Sequence, residues 1–323
     1  ELLKTSPVPS SDEYHLFLDE SRNLYVATVK HGGPYGRSVY LSVSKDFEHW
    51  TDSRDCLIFH ADKRDQELGA ERVQMHLRNP ALRQPTINRP EEYKTDIYNL
   101  PVFAYQGLYV GMPTVFNHSG NTKGNSDGFS MVELAVSRDL LNWERVGNRE
   151  KFIPLSPVEG GKNYDVAQLL AANQPIITDT EIWFYYTGVK WRAHPSYLKT
   201  GKYEEIPDSM AICLAKLRLD GFVSLDAGAA EGSVLTKPLI LEGKNLHVNV
   251  AAPQGEVRAE ILDAEGKKVL SGFSRGECIP VRGDSLNAEL KWKKAAVSSL
   301  AGKTVRLRFI LRNASLYAFW VGN

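Results

Sequence analysis

Cysteine is scarce: Cys56, Cys213 and Cys278 are the only three in 323 residues, and they lie far apart. An odd, scattered set excludes a disulfide framework and offers no metal-ligand spacing. It leaves the redox compartment open, because a secreted chain of this length does not depend on disulfides. No run of 18 apolar residues occurs, so no membrane-spanning helix is expected. Charge of one sign is missing as well. The 39 Lys and Arg balance 39 Asp and Glu, which removes the basic field that a nucleic-acid backbone needs. There is no P-loop, no GxGxxG after a strand and no GxSxG elbow. Residues 1–10, ELLKTSPVPS, have neither an initiator Met nor an apolar signal core, and the chain reads as though cut from something longer. Helical periodicity is almost absent too, with QELGAERVQMHL (66–77) the best helix candidate.

What the chain does contain is repetition. SVSKDFEHW (42–50) returns as AVSRDLLNW (135–143), each after apolar strand material: LYVATVKH (24–31) and LYVGMPTVF (108–116). A fainter third copy runs from EIWFYYTG (181–188) to LRLDGF (217–222). Asp46 and Asp139 are placed to accept backbone N–H bonds two residues on, fixing a tight turn under which Phe47 or Leu140 tucks. Trp50 and Trp143 then open the next strand as packing blocks. The repeated strands are apolar on both alternating faces, as in sheets covered on both sides. A sandwich would explain such strands but not the repeat, whereas blades of a β-propeller explain both. The expected class is therefore all-β, with about three blades over residues 1–230. Residues 231–323 alternate strictly, with turn signals between strands, and read as a separate β-sandwich after the small, Gly-containing DAGAAEGS.

The Ser-[Lys/Arg]-Asp-[Phe/Leu]-x-x-Trp turn after an apolar strand resembles the five-bladed propeller glycoside hydrolases of the arabinanase, xylosidase and invertase type. DIYNLPVFAYQGLYVG, YDVAQLLAANQPIITDTEIWFYY, and LRLDGFVSLDAGAAEGSVLTKPL with its RLRFILRNASLYAFW ending resemble a poorly characterised bacterial group of such propellers with an appended sandwich. The resemblance covers nearly the whole chain. It implies five blades where three are counted, so the missing ones would come from a preceding segment or a second chain. It also implies a carbohydrate substrate, polysaccharide degradation, a secreted or periplasmic setting and no cofactor, although scattered loop oxygens would suffice for a calcium ion in the channel.

Glycosidic cleavage generally uses two carboxyl groups, one protonated and one ionised. In the resembled propellers these acids start the innermost strand of successive blades. That maps onto Asp12 or Glu13, Asp96 and Asp165; the competing reading has them capping turns at strand starts. Glu133 stands inside a strand, where charge is unusual, and either lines the funnel or pairs with a basic residue. Asp127, in NSDGFS, reads as a turn residue. Around these acids the candidate sugar-binding groups are Tyr98, Asn99, His118, Gln168, Lys190, Trp191 and His194. Arg37 could grip an acidic sugar or close an ion pair between blades. The alternative to a hydrolase is a propeller that binds carbohydrate, or assembles with a partner, without a complete catalytic set.

Overall fold

The computed structural model describes residues 6–10, 12–122, 125–200 and 208–322. Strands make up 49% of the chain and helices 12%, so the protein is mostly β. It divides into two compact units: Glu1–Ile176 with Trp183–Lys216, and Ile177–Ile182 with Leu217–Asn323.

The first unit begins with an antiparallel four-stranded sheet in sequence order, β1 (Tyr14–Asp19), β2 (Leu24–Gly33), β3 (Gly36–Ser44) and β4 (Leu57–Phe59). The expected helix follows as α1 (Lys63–Arg78), opened by a reciprocal capping box between Asp62 and Asp65. Gly69 lets α1 lie directly on the next sheet, because a Cβ there would fall 1.8 Å from Thr95 Oγ1.

The following strands are kinked. β5 (Lys94–Asn99) leads into β6 (Val102–Tyr105), β7 (Leu108–Gly111) into β8 (Thr114–Thr122), and β9 (Asn125–Val132) into β10 (Ala135–Ser137), with β11 (Trp143–Arg145) last. Leu100-Pro101 and Met112-Pro113 mark two of the kinks. Proline has no N–H for the ladder, so the strands bend there. Pairing resumes on each side as a β5-β8-β9 sheet and a β6-β7-β10-β11 sheet. Val26, Val39 and Leu41 share one buried core with Ile97, Leu100, Val102 and Val115, fastening the first sheet to the kinked strands.

The duplicated sequence is a duplicated turn. Ser44 Oγ accepts from Phe47 N at 2.9 Å and Ser137 Oγ from Leu140 N at 3.0 Å. Asp46 Oδ1 accepts from Glu48 N (2.9 Å) and His49 N (2.8 Å), and Asp139 Oδ1 from Leu141 N (2.9 Å) and Asn142 N (2.8 Å). Trp50 and Trp143 donate their indole N–H to the Phe47 and Leu140 carbonyls. Phe47 (φ 69°) and Leu140 (φ 70°) are both left-handed, a strained conformation that the surrounding hydrogen bonds hold in place.

A fourth sheet, β12 (Gln168–Ala171), β13 (Ile176–Ile177), β14 (Glu181–Val189) and, after the short α2 (Pro195–Thr200), β15 (Met210–Arg218), is centred on β14. The later strands are β16 (Leu225–Ala227), β17 (Gly232–Leu235), β18 (Leu239–Ile240), β19 (Asn245–Leu262), β20 (Val281–Leu290), β21 (Thr304–Arg312) and β22 (Ala314–Gly322), joined in one sheet system. β19 pairs with β22 along its first half and with β21 along its second. Both halves turn Leu246, Val248, Val257 and Ile261 into a single core with Trp292 and Phe309. β16 lies before the expected 230/231 boundary and pairs with β22.

Candidate functional site

Pairing of β5 with β8 sets Asp96 opposite Phe116 and Lys94 opposite His118, so Asp96, Tyr98, Phe116 and His118 share one face. Ile97 and Val115 point the other way into the core. Asp96 is only 2% exposed and His118 is fully buried. The β2–β3 hairpin brings Arg37 to them. Its tip turns through Gly36 at φ +80°, where any Cβ would stand 3.2 Å from the Asp96 Cβ, so glycine is needed for both conformation and space.

Arg37 Nη1 donates to Asp96 Oδ2 at 3.0 Å. His118 Nε2 stands 3.1 Å from the same oxygen, off the line of a good hydrogen bond. Asp96 Oδ1 is buried with no protein partner. Burial pushes the Asp96 carboxyl up, yet His118 and Arg37 outweigh it and hold the group below the usual carboxylate value. Burial is also the main influence on His118 and takes its imidazole below 6.5 against the pull of Asp96. At neutral pH the pair is therefore an ionised Asp96 beside a neutral His118.

Tyr98 is ringed by cations: Lys30 Nζ at 4.1 Å from its centroid, Arg192 at 5.5 Å and Arg37 at 5.7 Å. Lys30 reaches Asp12 at 3.0 Å and Glu13 at 3.1 Å. Asn99 Nδ2 donates to Glu13 Oε1 at 3.2 Å. Gln168 joins through Arg192, whose Nη1 donates to Gln168 Oε1 at 3.4 Å and whose Nη2 donates to Asn125 Oδ1 at 2.8 Å. Thus Asp12, Glu13, Arg37, Asp96, Tyr98, Asn99, His118 and Gln168 form one contact network. Arg192, which stands between Trp191 and His194, is not among the residues that the sequence marks as candidates, because a single loop arginine carries no motif.

The other candidates lie in separate settings. Asp165 is 8% exposed and its Oδ2 accepts from Ser156 Oγ and Tyr186 Oη, both at 2.8 Å. Gly188 makes room, since a Cβ there would meet the Asp165 backbone at 2.8 Å. Burial and the Asp165 carboxylate push the Tyr186 phenol up. Glu133, fully buried at the third kink, pairs with Arg72 at 2.8 Å and Arg145 at 2.5 Å, and Arg145 continues to Asp65. Lys190 pairs with Asp208 at 2.8 Å. The Trp191 ring carries Arg83 at 3.9 Å and His194 edge-on at 4.8 Å.

Asp127 departs from its expected place in a turn. It sits inside β9 at 1% exposure, beside a bulge between His118 and Gly120, and accepts from Ile87 N and Gly128 N at 2.8 Å. Gly128, at φ +138°, allows that bulge. Among the described residues no group of three His, Cys, Asp or Glu could hold a metal ion. No helix among them is long and apolar enough to cross a membrane.

No protein-family profile and no curated protein matches this chain. Among solved structures it is similar to a glycoside hydrolase, with a TM-score of 0.36 and 16% identity over 63% of this chain and 45% of that one. It is also similar to a glycoside hydrolase family 43 arabinoxylan arabinofuranohydrolase from Bacillus subtilis, at TM-score 0.34 and 10% identity over 100% and 70% of the two chains. A third is the GH32 beta-fructofuranosidase of Bombyx mori, at TM-score 0.33 and 9% identity over 94% and 65%. The chain spans 45% of the length of the first of these.

Proposed function

We propose that this protein is a glycoside hydrolase acting on a poly- or oligosaccharide, with its active site on the Asp96 face. The observation that carries the reading is Asp96 itself: a buried carboxylate, held ionised by Arg37 and His118, with one oxygen unclaimed. A glycosidase needs an ionised carboxylate to activate water or attack the sugar carbon, and Asp96 is built for that part. Beside it the half-buried Tyr98 ring, with Lys30, Arg37 and Arg192 around it, is the aromatic surface for a sugar. Asp165 is the proposed second carboxyl. Both of its hydroxyl donors, Ser156 and Tyr186, fall on Oδ2 and hold the carboxyl in one orientation.

The wider reading belongs to the same proposal. The sheets of the first unit are blades of a five-bladed propeller, residues 231–323 are a sandwich, and the protein works in a secreted or periplasmic setting. A hydrolysis assay over a glycan panel, run with wild type, Asp96→Asn and Asp165→Asn, tests the function. Release of sugar by wild type and its collapse in both variants are expected. If wild type binds sugars and releases none, the protein is a carbohydrate-binding one instead.

A further inference from the structure

A cleft of about 590 Å³ opens beside Asp96, between the β2–β3 hairpin tip, the start of α1 and β5. Its volume is that of ordinary small-ligand sites. Tyr35 forms one wall and is 48% exposed. Its ring lies on His60, with centroids 3.9 Å apart and planes 15° apart, so it is held as a fixed platform with one side free. His60 is anchored in turn, its Nδ1 donating to the Ala61 carbonyl at 3.0 Å. Such a platform suits the apolar face of a sugar ring.

Charge says which kind of sugar. The two acids of the cleft are already neutralised. Asp62 is gripped by Arg149 at 2.7 Å and 2.6 Å, and Asp96 by Arg37 at 3.0 Å. Gln66 spends its amide on the Thr95 backbone, donating to the carbonyl at 2.7 Å and accepting from the N–H at 2.8 Å. Lys63 and Lys94 line the same cleft, and no ion pair to either is found among the described residues. The uncompensated charge is therefore positive.

We propose that this cleft is a subsite for an acidic sugar residue, a uronate, of the bound glycan. The ring stacks on Tyr35, and the carboxylate meets Lys63 and Lys94. The inference rests on the glycosidase reading for its neighbour, but it is a statement about binding and is tested by binding.

The experiment is calorimetric titration of the full chain at low salt with galacturonate, glucuronate and mannuronate oligomers, each against its carboxyl-reduced neutral counterpart. Two partly exposed ion pairs predict that at least one acidic oligomer binds about tenfold more tightly than its neutral form. The advantage should fade with added salt and vanish in Lys63→Met/Lys94→Met, while Tyr35→Ala should weaken acidic and neutral forms alike. The proposal is overturned if no acidic oligomer outbinds its neutral form, or if the advantage survives in the double lysine variant. Binding of uronates without bond cleavage would keep the subsite and remove the hydrolase reading. Cleavage of neutral glycans with no acidic preference would do the reverse.

Discussion

Glu133 and Asp96 are both carboxylates buried within the kinked strands, and both meet arginine, yet their surroundings differ in one respect. Each Glu133 oxygen stands against its own guanidinium: Arg145 donates to Oε2, and Arg72 lies 2.8 Å from Oε1 as an ion pair off the line of a hydrogen bond. Asp96 takes Arg37 and His118 on a single oxygen and leaves the other empty. Charge-paired networks rigidify a fold, whereas a buried oxygen facing no cation is costly and calls for a reason. The same residue chemistry thus serves as a rivet at a kink and as a candidate reactive group on the β5–β8 face.

The sharpest way to break that comparison is Glu133→Ala. It leaves Arg72 and Arg145 facing a buried void, and removal of one partner from such a network costs about 3–5 kcal/mol. Urea unfolding should report a loss of that order, and a loss below about 1 kcal/mol would show that the network is not structural. Asp96→Asn should do the opposite, leaving the protein folded while lowering turnover of a responsive glycan by about 10²–10⁴-fold. Gly36→Ala and Gly107→Ala form a matched pair, with φ of +80° and +77°. Each should lose about 1–2 kcal/mol from left-handed backbone, but only Gly36 has Asp96 against it, so only that variant should also lose activity.

A smaller effect concerns protons. His118 is held below its ordinary value in the folded protein, so between that lowered value and about 6.5 the unfolded chain binds more protons. The contribution of His118 therefore stabilises the fold above about pH 6.5 and is lost as pH falls through that value toward the folded pKa. Its imidazole NMR titration should have a midpoint below 6.5, and Asp96→Asn should move the midpoint lower, because Asp96 pulls it up. An upward move would disprove the contact. The mildest change expected is Asp139→Ala. It removes acceptors from an exposed turn and should lower the melting temperature less than Glu133→Ala, with no change in activity per folded molecule.

Legibility in the sequence followed the range of the interactions. The duplicated turn, the helix near 66–77 and the strands were readable because periodicity and hydrogen bonds to the next few residues encode them. Asp96, Arg37 and His118 were each picked as candidates, but their meeting was not visible: Arg37 and Asp96 are 59 residues apart. Arg192 escaped because a lone arginine in a loop gives no signal until Tyr98, Gln168 and Asn125 are seen around it. Asp127 was misplaced because Asp-Gly reads as a turn, whereas here the glycine serves a bulge inside a strand.

The sequence by itself determined the β class, the repeated turn and the residue types available to the candidate site. Local propensity and short hydrogen bonds are properties of neighbouring residues, so the chain carries them explicitly. Tertiary structure decided which carboxylate is closed and which is open. That depends on register, on two proline kinks and on one hairpin tip set against a strand, and those contacts exist only when distant segments pack.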